Sequence, residues 1–173
     1  MARLPGRLGS LTAEDVMTKD VIVITETDTI DSAIDTLKQH HISGALVVDA
    51  AGKLTGIISV NDITRPVAEA PPEEHHPGQP QIPLVHGEDK VTWDLFDQAK
   101  PMDEHAGAKL VKDRMSPRMT SVVKTAPLVE AARVMCEGHR HRVPVVEEDG
   151  ALAGIISTMD VLAALVNTHD ELE

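Results

Sequence analysis

Two serines, each with an aspartate three residues further on, can present a hydroxyl and a carboxylate together: Ser59 with Asp62, and Ser157 with Asp160. Both pairs close the same apolar run. Gly56-Ile57-Ile58-Ser59-Val60-Asn61-Asp62 returns as Gly154-Ile155-Ile156-Ser157-Thr158-Met159-Asp160, a displacement of 154 − 56 = 98 positions. An ionised carboxylate accepts hydrogen bonds from two neighbouring hydroxyls, so a strand end carrying one beside helix N-terminal amides suits a sugar diol. The plain alternative is a helix cap, in which the serine takes the third amide and the acid sits favourably in the first turn. Two copies behind identical strands favour two equivalent polar sites on one scaffold.

A second cluster lies just before the last pair of strands. His139-Arg140-His141-Arg142 places four cationic or potentially cationic side chains in a row, in a chain whose formal charge is −12. Guanidinium offers a forked, permanently charged partner for phosphate oxygens, and imidazole adds a donor whose charge depends on pH. The alternative is an ordinary solvated basic turn. At the 98-residue offset Ser43-Gly44 replaces His141-Arg142, and Leu46 replaces Pro144. The first site therefore lacks its own phosphate clamp, although Arg65 or residues of the other repeat remain open as contributors, so the two sites are expected to be unequal, with phosphate held more tightly beside Asp160.

Catalysis finds no support. No nucleophile is paired with a base, and no Gly-x-x-x-x-Gly-Lys loop occurs. Glu73-Glu74-His75-His76 lacks the preorganised spacing of a zinc site, so no metal site is expected. His40, His41 and His139 fall at helix ends, where a partly charged imidazole complements the helix dipole.

Composition narrows the class. Sixteen basic against 28 acidic side chains is the wrong sign for a nucleic-acid binder. With one Trp, one Phe and no Tyr, the core must be aliphatic. The single cysteine, Cys136, excludes a disulfide within the chain; among Ala131, Ala132, Val134 and Met135 it reads as a small apolar helix residue. No apolar run approaches the ~20 residues of a membrane span, and Met1–Ser10 has no signal-peptide core. The expectation is a soluble, cytoplasmic protein without membrane insertion.

The duplication reaches beyond the heptapeptide. The same offset superimposes Asp15 on Asp113, Met17 on Met115, Thr27 on Thr125, His41 on His139, Val47-Val48 on Val145-Val146 and Gly52 on Gly150. Between Thr29–Ile63 and Pro127–Val161, eleven of thirty-five pairs are identical, against about two expected by chance. Each repeat is predicted to run strand, helix, strand, strand, helix. In the first, 21–25 is a β-branched run, and Thr29 or Asp28 caps a helix with Ile30, Ala33, Ile34 and Leu37 at i, i+3, i+4 and i+7. Strands 45–49 and 54–59 flank a turn in which Gly52 takes a positive φ. A short helix follows Ser59 and stops near Arg65-Pro66. The second copy has strands at 119–123, 143–147 and 151–157, with helices at 128–137 and 158–167.

A unit this small is marginal alone, so the two are expected to pack together with pseudo-twofold symmetry. Their boundaries are placed at 12–66 and 113–168. The stretch 67–112 between them is an insert, with a Pro- and acid-rich mobile loop over 67–81 and a short helix around Trp93 and Phe96.

The combined pattern Gly-His-Arg-His-Arg-Val-Pro-Val-Val-Glu, Asp-Gly, Gly-Ile-Ile-Ser-x-x-Asp resembles the cystathionine-β-synthase (CBS) domain, and two copies resemble the CBS pair called a Bateman module. The insert, with Trp93, Phe96 and Lys109–Met115, is similar to that of stand-alone CBS-pair proteins of plants and bacteria. The resemblance implies an α+β tandem pair whose β-α-β-β-α sheets meet in a central cleft. It also implies a regulatory module for an adenosyl ligand, AMP, ADP, ATP or S-adenosylmethionine, that reports to a partner protein. By that resemblance Ser59, Asp62, Ser157 and Asp160 hold ribose, while His141 and Arg142, flanked by His139 and Arg140, hold phosphate. Adenine enters an apolar slot near Ile24 and Thr25 or Val122 and Val123, closed by Val143 and Pro144. The resemblance further implies a homodimer, with apolar stripes on Asp31–Leu37 and Thr158–Val166 as the contact. The alternative is a constitutive dimerisation scaffold with vestigial sites.

Overall fold

The computed structural model describes residues 9–64, 110–117 and 119–170, with side chains to residue 167. The expected loop at 67–81, the helix around Trp93 and Phe96, the Glu73–His76 cluster and Arg65 lie outside the described residues.

A one-turn helix α1 (Ala13–Val16) leads into the first repeat, which runs β1 (Val23–Thr25), α2 (Ile30–Gln39), β2 (Gly44–Val48), β3 (Leu54–Ser59) and α3 (Val60–Thr64). The second runs β4 (Val122–Val123), α4 (Leu128–Glu137), β5 (Arg142–Val146), β6 (Leu152–Ser157) and α5 (Thr158–Asp170), after a 3-10 turn at Val111–Asp113. This is the α+β pair of repeats that the sequence predicts. In each, the first strand lies parallel to the second and the second antiparallel to the third.

Local chemistry explains the elements. Thr29 caps α2 by accepting the Ser32 amide at 3.2 Å, while the Asp28 carboxylate takes the Thr25 amide at 2.9 Å. Asp49 Oδ1 accepts the Ala51 and Lys53 amides at 2.8 and 2.9 Å, and the hairpin turn is completed by Gly52 at φ +78°, as its counterpart is by Gly150 at +89°. β2 is buried along its whole length, the pattern of a strand covered on both faces.

Helices α2 and α4 each end on a left-handed histidine, His41 at φ 52° and His139 at φ 48°. The His41 amide donates to Lys38 O at 3.2 Å and the Ile42 amide to Leu37 O at 3.0 Å; His139 to Cys136 O and Arg140 to Met135 O repeat this at 3.3 and 2.8 Å. These are the paired bonds of a Schellman end, where glycine is the usual residue. The histidines therefore carry a backbone role beyond complementing the dipole.

The strands differ in one respect. β1 pairs through three residues starting at Val23↔Leu46, whereas β4 starts one position later at Val122↔Val145. Pro144 stands where Leu46 does, and proline has no amide hydrogen to give a ladder.

The segment before each repeat is bonded to the other repeat. Residues 10–21 precede β1, yet Ala13 N–H donates to Ala126 O at 2.9 Å, Leu128 N–H to Leu11 O at 2.9 Å, and Thr18 exchanges bonds with Ile155 at 2.9 and 3.0 Å. Residues 110–117 precede β4, yet Val111 N–H donates to Asp28 O at 2.9 Å, Lys112 N–H to Glu26 O at 3.0 Å, and Ser116 exchanges bonds with Ile57 at 2.8 and 3.1 Å. One packing unit accordingly falls within 22–119, and the other joins 1–21 to 120–173. Each lead-in adds a bridge to the outer edge of a three-stranded sheet, covering an edge that would otherwise offer unpaired amides.

The cores follow the same exchange. Leu37, Val47 and Ile58 are fully buried beside Val111 of the lead-in, and Val145 and Ile156 are fully buried in a core that includes Ala13. Each such aliphatic contributes about 1.5–3 kcal/mol on burial. The repeated glycine of Gly-Ile-Ile-Ser serves this crossing. A Cβ on Gly56 would stand 2.6 Å from Ser116 O, and one on Gly154 would stand 2.7 Å from Thr18 O.

Two expectations are corrected. Cys136 is exposed, because α4 turns Leu128, Ala131 and Met135 inward instead. The apolar stripe of α2 is spent on the core, with Ile30, Ala33 and Leu37 all buried. An uncovered stripe exists only on α5 of the two helices named for it, where Met159, Leu162, Leu165 and Val166 are exposed.

Candidate functional site

The serine–aspartate pairs sit where a β-strand turns directly into a helix. Ser59 ends β3 and Asp62 lies in the first turn of α3; Ser157 ends β6 and Asp160 lies in the first turn of α5. In the second repeat Asp160 Oδ2 accepts both the Ser157 amide and the Ser157 hydroxyl at 2.7 Å, while Ser157 Oγ accepts the Asp160 amide at 3.2 Å. In the first, Asp62 Oδ2 accepts the Ser59 amide at 2.9 Å and its hydroxyl at 2.6 Å, and the return bond is long at 3.4 Å. The cap geometry is thus present in both.

It consumes only one carboxylate oxygen, and the fate of the other separates the repeats. Asp62 Oδ1 faces the Ser116 hydroxyl at 3.4 Å, and Asp62 is 9 % exposed. Asp160 is half-buried, and among the described residues its Oδ1 accepts no hydrogen bond. The same cap recurs at Thr12, whose amide and hydroxyl both reach Asp15 Oδ2 at 2.8 Å. Cap geometry alone therefore does not mark a ligand site; the fate of Oδ1 is what separates Asp160 from Asp62.

Sheet register settles which predicted residues meet. Arg142 is paired with Ser157 across the β5–β6 ladder, and the Thr158 amide donates to His141 O at 2.9 Å. His141 and Arg142 therefore stand beside the Ser157–Asp160 turn. Gly44 and Ser43 hold those places beside Ser59. Arg140 lies alongside Gly138, since a Cβ there would meet its Cδ and Nε at 3.3 Å; that sets the side chain at the C-terminal end of α4. His139 and His141 are exposed.

The adenine-slot residues do not join this group within a repeat. Thr25 pairs with Val48 while Ser59 pairs with Gly44, an offset of four residues along β2 at roughly 3.3 Å each, or roughly 13 Å along the strand direction alone. Val123, paired with Val146, stands at the same remove from Ser157. Val143 is 1 % exposed and belongs to the core, and Pro144 is buried. The reason is topological: β1 and β4 run parallel to the central strand, so their carboxyl ends lie opposite that of the third strand.

The comparisons with known proteins now bear on these features. The family model described as CBS domain matches residues 13–69 and 111–167. This chain belongs to the CBS domain family. It is 32% identical over 160 residues to the CBS domain-containing protein CBSX1, chloroplastic, of Arabidopsis thaliana, covering 91% of this chain and 65% of that protein. CBSX2, chloroplastic, of the same plant is 28% identical, with 98% and 70% covered. The chain thus spans about two thirds of the length of these relatives. Among solved structures, CBSX2 from Arabidopsis thaliana aligns with a TM-score of 0.63 at 25% identity, covering 92% of this chain and 96% of that one. A structure of CBSX2 in complex with AMP aligns at 0.59 and 24%, covering 90% and 96%. The CBS pair of MJ0100 in complex with 5′-methylthioadenosine and S-adenosyl-L-methionine aligns at 0.56 and 20%, covering 91% and 97%. Among the described residues no helix is long and apolar enough to cross a membrane.

Sequence reasoning did not single out Thr18 and Ser116, the lead-in residues that lie along β6 and β3 of the CBS repeats. The signal was present. The offset that aligns Met17 with Met115 continues to Thr18 over Ser116, so the repeat extends upstream of its first strand.

Proposed function

We propose that this chain is a non-enzymatic regulatory module that binds an adenosyl ligand, AMP, ADP, ATP or S-adenosylmethionine, and passes its ligand state to a partner protein. The observation that carries this reading is the Asp160 carboxylate. One oxygen is committed to the helix cap and the other is left to accept a ribose hydroxyl, with His141 and Arg142 at the adjacent strand end to meet phosphate. A carboxylate that accepts a ligand hydroxyl forms a charge-assisted bond, roughly twice as strong as a neutral one. Relatives in fold crystallised with AMP, and with 5′-methylthioadenosine and S-adenosyl-L-methionine, support the ligand class. Ligand state reaches a partner only through contacts that differ between bound and free forms. The exposed stripe of α5 offers a surface for a homodimer. The cytoplasm is the compartment of this proposal, although two plant relatives are chloroplastic.

A second reading, a constitutive dimerisation scaffold with vestigial sites, draws on the matching cap at Thr12–Asp15, which shows that such a turn serves backbone needs by itself. A thermal-shift panel of AMP, ADP, ATP, S-adenosylmethionine and NADH separates the two. A ligand at 100 times its dissociation constant stabilises by about 2.7 kcal/mol, a rise of several degrees. No shift with any of them supports the scaffold.

A further inference from the structure

Each strand-end aspartate has a residue of the opposite lead-in running beside it. Ser116 and Thr18 are bridged to Ile57 and Ile155 by equivalent pairs of backbone bonds, and the bare α-carbons of Gly56 and Gly154 admit them. Their side chains behave differently. The Ser116 hydroxyl is half-buried and directed at Asp62 Oδ1, 3.4 Å away. Thr18 is exposed, and among the described residues it makes no bond to Asp160.

We propose that Ser116 is an internal occupant of the Asp62 site, standing in for a sugar hydroxyl and restricting this chain to one nucleotide, held at Asp160. The inference rests on the ribose-binding reading of Asp160. A contact of 3.4 Å is long for a hydroxyl on a carboxylate, which prefers about 2.5–2.7 Å, so its weight lies in position rather than strength. An incoming ribose hydroxyl needs that close approach to Oδ1. The Ser116 oxygen already lies over this face, and with Asp62 only 9 % exposed little other approach remains. The Ser116 backbone is held at this place, because its own amide and carbonyl are tied to Ile57 at 2.8 and 3.1 Å. The missing phosphate partners, Ser43 and Gly44 in place of His141 and Arg142, make the same site poor for a second reason, yet the hydroxyl is the obstacle that a single substitution removes.

Calorimetry with AMP on the full chain tests this. The wild type is expected to bind one equivalent, weakened about ten- to hundredfold in Asp160→Ala. Ser116→Ala is expected to raise the count to two, the second weaker than the first for want of a phosphate clamp, and Ser116→Ala/Asp62→Ala to return it to one. Ser116→Gly, which also lacks the hydroxyl, gives the same readout should the alanine variant fold poorly. Two equivalents in the wild type, or one in both Ser116 variants, overturns the internal-occupant proposal while leaving ribose binding at Asp160 intact. No binding in any protein, with melting curves showing each to be folded, overturns the ribose reading and this inference with it.

Discussion

The two CBS repeats pair their strands in the same register, yet the first buries its strand-end aspartate beneath a serine of the opposite lead-in and the second leaves its own half open. The surrounding substitutions point the same way. The first repeat has Ser43, Gly44 and Leu46 where the second has His141, Arg142 and Pro144. At the far end of the sheets, Lys124 and Glu147 form an ion pair at 2.7 Å, where the offset gives the first repeat two acids, Glu26 and Asp49. A duplicated backbone plan thus carries two different chemistries. What the repeats share is what the fold needs: a bare glycine under a crossing chain, a capped helix, a buried aliphatic strand. The differences that bear on the site lie around one turn and one strand end.

Substitutions at matched positions test this division. The largest effect is expected in the shared core. Leu37→Ala and Met135→Ala empty corresponding core positions and should each cost about 2–5 kcal/mol in urea unfolding; a cost at one alone would break the equivalence of the cores. Next come the residues that differ. Asp160→Ala removes a charged acceptor worth roughly 1.5–3 kcal/mol, so AMP affinity should fall about ten- to hundredfold, while Asp62→Ala leaves it little changed. Calorimetry showing loss only in the Asp62 variant would reverse the assignment of the sites.

Gly56→Ala and Gly154→Ala drive a methyl into the lead-in backbone, and overpacking of this kind costs typically about 1–3 kcal/mol. Equal losses in melting temperature would confirm that both crossings are structural. His41→Gly and His139→Gly relieve a left-handed side chain that costs about 1–2 kcal/mol, partly offset by glycine's greater chain entropy. A net gain of up to about 1 kcal/mol is expected at each. A gain that came with weaker AMP binding only at His139 would tie that residue to the site.

The smallest effect is in the Lys124–Glu147 pair. The hydrogen bond and charge of Glu147 raise the Lys124 pKa above 10.5. A raised folded-state value means that the contribution is fully present below pH 10.5 and fades as pH climbs beyond it. Wild type should therefore lose a slight advantage over Lys124→Gln only in strongly alkaline unfolding experiments.

Strand order, helix spans and turn glycines were legible because they rest on local signals: the i, i+3, i+4, i+7 spacing of Ile30, Ala33, Ile34 and Leu37, β-branched runs, and the duplication itself. Cys136 was misjudged because neighbours in sequence do not share a helix face. Within a repeat, strand direction sets Thr25 apart from Ser59 and Val123 apart from Ser157, a fact invisible until parallel and antiparallel pairings are known.

By itself the sequence determined the repeat, its elements and the presence of a hydroxyl and a carboxylate at each strand end, since these follow from spacing within a few residues. Only the tertiary structure decided that each lead-in crosses to the other repeat, and so that Ser116 meets Asp62 while, among the described residues, the second oxygen of Asp160 accepts no hydrogen bond. Ser116 and Asp62 are 54 residues apart in the chain. No periodicity or local propensity encodes such a meeting; it arises from the packing of apolar Val111 and Met115 into a distant core, which carries the serine along.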